Sequence, residues 1–305
     1  MRNFKRIKSA LLSRKKSAYY GFWNLAISPF GRALCKFFKR PDGSLNITPI
    51  FILSLPRSGS TLVYQSLVSY IPSVYISNLH NTFPGTATRS LKKRSKLGNN
   101  LLKYRNYYGY AYGENGVNEG NHFLDKIFQI ENEAERKEAF LSFLKNMDLG
   151  DHEVFIFKNI KHSQNLSSLK KWMPNLKVVY LERDNEMVAQ SIFKAYLELG
   201  YFNPIPKELE SIEFTEDPHR FTARQIKSLK KEIEAELLSF ASNDIYKLKY
   251  EDFCKDPKQY CNEILQRFEL DLTLRNIHIN LSASQKITIN QEDYKKLQSN
   301  LQTIE

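Results

Sequence analysis

The chain has 305 residues, enough for one large α/β domain or a domain with an appendage, and its composition is that of a soluble globular protein rich in Phe and Tyr. Its net charge is +12, but residues 1–40 hold eleven Lys or Arg and no Asp or Glu, so the remaining 265 residues sum to +1. Three cysteines, Cys35, Cys254 and Cys261, lack metal-ligand spacing, which argues against a disulfide framework and for a reducing compartment.

At the start, Phe4, Ile7, Leu11 and Leu12 fall at helical spacing between Lys and Arg, the pattern of a basic amphipathic helix. The uncharged stretch from Ser17 to Gly31 is interrupted by Pro29 and is shorter than the roughly 20 apolar residues of a membrane span. It is followed by no small-residue cleavage signature, so a signal peptide is not expected. Phe22, Trp23, Phe37 and Phe38 either pack on the domain or lie in a membrane interface. The turn Pro41-Asp42-Gly43-Ser44 separates this segment, residues 1–45, from a main domain over 46–305.

The most informative stretch follows. The apolar run from Ile50 to Leu53 ends in Leu55-Pro56-Arg57-Ser58-Gly59-Ser60-Thr61-Leu62, and a helical pattern continues through Val63, Leu67 and Ile71. In a strand–loop–helix unit of this kind, loop amides and the first helical N–H groups point at one spot, where the helix dipole favours an anion. Gly59 permits a backbone shape closed to residues with a Cβ, and Ser60 or Thr61 can cap the helix or bind a phosphate oxygen. Arg57 adds a permanent charge with a planar fork of donors suited to a tetrahedral oxyanion. No Lys precedes Ser60-Thr61, so the loop lacks the Lys of the nucleotide-triphosphate P-loop. The plain alternative is an ordinary strand-to-helix turn capped by Ser60.

A short strand at Val74-Tyr75-Ile76 leads into polar residues 77–81, which places His80 just past a strand end, where ligand groups collect in open parallel sheets. Residues 82–118 are basic, Tyr-rich and irregular, the features of a substrate-facing lid. A helix-like segment then starts near Glu119. Glu119 and His122 are three apart and would share a helix face, a carboxylate–imidazole pair fit for general-base work or a solvated pair at a helix start.

Apolar strands at 154–157 and 178–181 alternate with helices over 133–147, 163–173 and 185–199, the last with Asp184 as its N-cap. Strands apolar on both faces read as a parallel sheet covered on both sides. A charged helix over 222–240, an edge-type strand over 245–250, one or two helices over 251–268 and a weak helix at 292–301 complete the chain. Cys254 and Cys261 are expected to be buried free thiols; seven apart, they would share a face if one helix covered both.

Leu55 to Leu62, together with Leu181-Glu182-Arg183-Asp184 and Ser191 eight residues after Arg183, resembles the sulfotransferases that use 3′-phosphoadenosine-5′-phosphosulfate (PAPS). Tyr250-Glu251-Asp252 before Asp256-Pro257 matches a further segment of that family, and the resemblance spans about 48–270. Tyr75-Ile76-Ser77-Asn78 and Glu119 to Phe123 are similar to segments of the bacterial, carbohydrate-type branch. The resemblance implies an α/β fold: a P-loop-like parallel sheet flanked by helices on both faces. It implies that Arg57, Ser58, Gly59, Ser60 and Thr61 grip the 5′-phosphosulfate. Arg183 and Ser191 would grip the 3′-phosphate, and Tyr250 would lie near the adenine.

The chain departs from the cytosolic members in reading Lys158-Asn159-Ile160 where their Lys-Thr-His carries the base, in having Arg57 for Lys, and in having Asn185 for the Pro after Arg-Asp. Their closing Arg-Lys-Gly segment is absent, and Ser284-Gln285-Lys286 is the stand-in. The activity implied is sulfuryl transfer from PAPS to a hydroxyl or amine, with Arg57 and Lys158 stabilising charge and Glu119, then His122 and His80, as bases. No metal is implied. The partners implied are PAPS and a glycan, glycolipid or small-molecule acceptor, with no nucleic acid. The expected location is cytoplasmic, either free or, through the basic residues 1–40, peripheral on the inner membrane face. A P-loop kinase or GTPase, a binding-only sulfotransferase fold and a non-catalytic polyanion binder are the rival readings.

Overall fold

The computed structural model describes residues 47–82, 106–107, 110–111, 116–147, 154–161, 163–211 and 216–304. The basic segment, Cys35 and most of the Tyr-rich lid stretch lie outside the described residues. Among those described, no helix is long and apolar enough to cross a membrane. The strands are β1 (Thr48–Ser54), β2 (Val74–Tyr75), β3 (Asn106–Tyr107), β4 (Tyr110–Ala111), β5 (Val154–Lys158), β6 (Lys177–Glu182) and β7 (Ile245–Lys249). The helices are α1 (Ser60–Tyr70), α2 (Asn78–Thr82), α3 (Asn121–Phe128), α4 (Glu133–Asn146), α5 (Leu166–Trp172), α6 (Asn185–Leu199), α7 (Pro218–Leu237), α8 (Tyr250–Lys255), α9 (Pro257–Arg267) and α10 (Gln291–Ile304).

The main sheet has the order β2-β5-β1-β6-β7 and every pairing in it is parallel. β1 sits in the middle, which is why Ile50 to Leu53 is apolar without interruption. The two-residue period then divides the run between two cores. Phe51, Leu53, Phe155, Phe157 and Val178 pack with residues of α3, α4, α5, α6, α7 and α10. Ile50, Ile52, Ile156, Val179 and Leu248 pack on the other face with α1, α8 and α9. The Phe51 and Phe157 rings meet edge to face at 5.0 Å, fixing the β1–β5 register from the core side.

Two differences from the sequence reading have local causes. The long charged helix starts at Pro218 rather than near 222, because the Asp217 side chain accepts from Arg220 N at 2.9 Å and Pro218 fills the first helical position. Cys254 and Cys261 are both buried but lie on separate helices, because Asp256 ends α8 and caps α9.

The segment between α9 and α10 has no regular structure, yet it is anchored. Arg275 Nη1 donates to the carbonyls of Val68, Ser69 and Ile71 at 2.8, 3.2 and 3.3 Å. A cation from a distant segment thereby covers the negative end of the α1 dipole, while the positive end faces the loop after β1. α10 closes the domain through Leu297 in the core and a Tyr294 hydroxyl that donates to Glu186 Oε2 at 2.6 Å.

Candidate active site

The site is built at the carboxyl ends of β1, β5 and β6. β1 delivers the chain into a tight loop in which Arg57 holds φ +65°, a left-handed conformation uncommon for a residue with a Cβ. Ser58 Oγ donates to Leu55 O at 2.8 Å and pins the turn. Gly59, at φ +87°, is the N-cap of α1, and a Cβ there would lie 2.3 Å from Tyr250 Cε2. Glycine is thus required twice, by the backbone angle and by the Tyr250 ring. Neither Ser60 nor Thr61 caps the helix, contrary to one expectation, because the chain is already helical at Ser60. Their hydroxyls instead accept from Lys158 Nζ, each at 3.2 Å.

Lys158 is the last residue of β5 and pairs in register with Ile52 of β1. Its side chain is 2% exposed and its ammonium lies 2.6 Å from Glu119 Oε1. The ammonium missing from the loop sequence is therefore brought to Ser60 and Thr61 by the neighbouring strand.

Glu119 is positioned through its backbone. Asn159 Nδ2 donates to Glu119 O and to Asn121 Oδ1, both at 2.8 Å, and Gly120 N donates to Asn118 Oδ1 at 2.8 Å. Asn118 Nδ2 in turn donates to Asn78 Oδ1 at 2.7 Å. Helix α3 begins at Asn121, after Gly120 at φ +72°, so Glu119 precedes the helix and does not share a helical face with His122. The pairing assumed from their spacing is replaced by the Glu119–Lys158 ion pair. His122 is exposed, and its backbone N–H donates to Asn81 Oδ1 at 3.0 Å.

His80 Nδ1 accepts from Ser77 N at 3.1 Å, and burial lowers the imidazole pKa to about 4. A backbone N–H can only donate, so Nδ1 is the bare nitrogen and the neutral ring carries its hydrogen on Nε2. That tautomer has no spare lone pair with which to take a proton from an acceptor.

Arg183 follows β6, and Asp184 caps α6 by accepting from Glu186 N at 2.9 Å and Met187 N at 3.0 Å, as its sequence position foretold. Arg183 Nη1 donates to Arg57 O at 3.3 Å, and its Cζ stacks 4.6 Å from the centre of the Tyr250 ring. Its Nε is buried and has no hydrogen-bond partner among the described residues, the nearest carboxylate being Glu251 Oε1 at 3.9 Å. Ser191, two turns into α6, accepts from Arg57 Nε at 3.1 Å. Burial lowers the Arg57 pKa, with Glu198 opposing the shift and Arg183 reinforcing it. Two guanidinium groups, one with a buried N–H that makes no hydrogen bond among the described residues, and the amino end of α1 thus converge beside Gly59, an arrangement that favours an anion.

Ser284 to Thr288 lies across the start of α6. Ser284 O accepts from Arg183 Nη2 at 3.3 Å, Lys286 O from Gln190 Nε2 at 3.4 Å, and Gln190 Oε1 from Thr288 N at 2.8 Å. Asn159, Gly120 and Gln190 were not singled out as site residues from the sequence. Only Asn159 left a signal there, a polar side chain next to Lys158 at a strand end.

The model for a family described as the sulfotransferase family matches residues 49–273. The chain belongs to the sulfotransferase family. Among solved structures, it is similar to the sulfotransferase STF1 from Mycobacterium tuberculosis, with 15% identity over 83% of this chain and 71% of that one, at a TM-score of 0.52. It is also similar to the sulfotransferase STF9 from Mycobacterium avium, with 13% identity over 86% of this chain and 69% of that one, at a TM-score of 0.51. At such identities the likeness is one of fold, and the parallel sheet covered by helices on both faces is what is shared. No curated protein matches the sequence at a significant level. Every residue expected at the donor side of this sulfotransferase, Arg57 to Thr61 with Arg183, Ser191 and Tyr250, falls within the matched span.

Proposed function

We propose that this sulfotransferase moves a sulfuryl group from PAPS to a hydroxyl or amine of a glycan or glycolipid, leaving adenosine 3′,5′-bisphosphate. The observation that carries the reading is the buried Arg183 Nε, which makes no hydrogen bond among the described residues, beside the Arg57–Ser191 hydrogen bond. A second phosphate on the ribose would give that N–H an acceptor and the Ser191 hydroxyl something to donate to, which a nucleoside triphosphate would not. Gly59 and the amides of Ser58 to Thr61 hold the 5′ side with Arg57, Arg183 and Ser191 hold the 3′-phosphate, and Tyr250 borders the adenine.

PAPS supplies the sulfuryl group, whose bond to the phosphate oxygen breaks as one to the acceptor oxygen or nitrogen forms. The protein's part is positioning and charge stabilisation. Arg57 and Lys158 offset charge on the leaving and transferring oxygens, and Glu119 takes the acceptor proton. Residues 1–40, at +11, bring the enzyme to the cytoplasmic membrane face where a glycolipid acceptor resides.

Radiolabelled PAPS incubated with cell-envelope glycan and lipid fractions tests the reading. Label should enter a fraction whose mass rises by one sulfate, and Glu119→Gln should lower the rate by about 10²–10⁴-fold while adenosine 3′,5′-bisphosphate still binds. A Glu119→Gln enzyme that transfers label at the wild-type rate would remove Glu119 from the chemistry.

A further inference from the structure

Lys158 stands at the junction of the two halves of the site. A lysine ammonium has three donors. Here three acceptors take them: Glu119 Oε1 at 2.6 Å, Ser60 Oγ at 3.2 Å and Thr61 Oγ1 at 3.2 Å. With the side chain 2% exposed, water has little access to serve as a fourth partner. An anion arriving at the amino end of α1 therefore finds the ammonium fully engaged and must displace one of the three. The two hydroxyls can rotate and donate to the anion while staying in place. The Glu119 carboxylate cannot, because it is acceptor-only and repels a like charge.

Glu119 is also the partner least firmly held at its side chain. Its backbone is fixed by Asn159, but its second oxygen, Oε2, receives only a 3.5 Å contact from Ile160 N. Rotation of the side chain would break the Lys158 ion pair and the long Ile160 N–H contact, and would leave the Asn159 bond to the Glu119 carbonyl in place.

We propose that Lys158 is an exchange cation: in the free enzyme it holds Glu119, and the 5′-phosphate group of the donor nucleotide displaces that carboxylate and leaves it available to an acceptor. The inference rests on the donor reading above. It makes Glu119 a competitor of the donor as well as the base, and it orders the reaction, with the acceptor-side carboxylate released only when the donor is in place. The two sites are then linked through one side chain, and the linkage is reciprocal.

Calorimetry with two non-reacting nucleotides tests this without an acceptor. Adenosine 3′,5′-bisphosphate carries the 5′ anion, and adenosine 3′-monophosphate does not. Glu119→Gln, which keeps the shape and removes the charge, should tighten the bisphosphate by about fivefold or more. It should leave the monophosphate within about twofold, since only the 5′ group competes for Lys158. In a Lys158→Met background the Glu119→Gln gain should vanish. Equal tightening of both nucleotides would mean a general charge effect and would overturn the exchange, as would unchanged or weaker bisphosphate binding in Glu119→Gln. Because the comparison is a ratio within each variant, and Glu119→Ala supplies a second variant with the same expectation, a partial loss of folding does not mimic the result. Failure of the wild-type enzyme to bind either nucleotide would instead count against the donor reading itself.

Discussion

Arg57 Nε donates to Ser191 Oγ at 3.1 Å, across 134 positions of sequence. The bond joins the loop after β1 to the second turn of α6, so two motifs that read as separate anion sites form one continuous surface. Arg183 reinforces the junction by donating to the Arg57 carbonyl at 3.3 Å. The strained Arg57 backbone, at φ +65°, is thereby held in place by a contact from the neighbouring strand end.

Gly59→Ala should disable this junction. The added Cβ meets Tyr250 Cε2 at 2.3 Å and must adopt φ +87°. A cost of about 1–3 kcal/mol from the backbone alone is expected. Denaturant unfolding should show that loss, and adenosine 3′,5′-bisphosphate binding should fall with it. Undiminished binding in Gly59→Ala would show that the loop is not packed against Tyr250 in solution.

Arg183→Ala removes the stacked guanidinium and the buried N–H that makes no hydrogen bond among the described residues. It should raise the KM for PAPS by an amount worth roughly 1.5–3 kcal/mol, with a smaller effect on kcat. A variant that binds adenosine 3′,5′-bisphosphate like the wild type would refute the 3′-phosphate role.

Asn185→Pro should stabilise the protein. Asn185 is the first residue of α6, where proline is favoured, and its Oδ1 is buried without a hydrogen bond among the described residues. Asp184 before it has φ −46° and ψ 128°, the extended ψ that a following proline demands. A gain of about 0.4–1 kcal/mol, read as a rise in Tm, is expected. A fall in Tm would show that the Asn185 N–H or side chain makes a contact the proline removes.

Acid should weaken the fold through His80. Burial lowers its pKa from 6.5 to about 4, so the unfolded chain binds a proton that the folded chain refuses. Stability is therefore lost progressively as the pH falls from about 6.5 to about 4, and the contribution is flat above 6.5. His80→Gln should flatten the dependence in that window in a series of urea melts. An identical pH slope in the variant would place the titration elsewhere.

The sheet was legible because burial on both faces leaves an unmistakable trace, as in Ile50 to Leu53, Val154 to Phe157 and Val178 to Leu181. The strand–loop–helix turn after β1 was legible because Gly59 and its neighbours act locally. The partnerships across the site were not. Lys158 reaches Ser60 and Thr61 only because β5 lies beside β1 in one particular register, and no spacing in the chain encodes that. The Glu119–His122 spacing misled for a local reason, since Gly120 turns left-handed and starts the helix too late to include Glu119. The segment around Ser284 has no hydrophobic period because its anchors, Arg183 and Gln190, hold its backbone rather than its side chains.

In the proposed function, the anion surface made by Arg57, Arg183 and Ser191 is shaped for a nucleotide with phosphates at both the 3′ and 5′ positions. Thermal unfolding of the wild-type chain with equal concentrations of adenosine 3′,5′-bisphosphate, 5′-AMP, ATP and GTP tests it most directly. The largest rise in Tm is expected with the bisphosphate, and its advantage over 5′-AMP should be lost in Arg183→Ala. A larger rise with ATP or GTP than with the bisphosphate would contradict it.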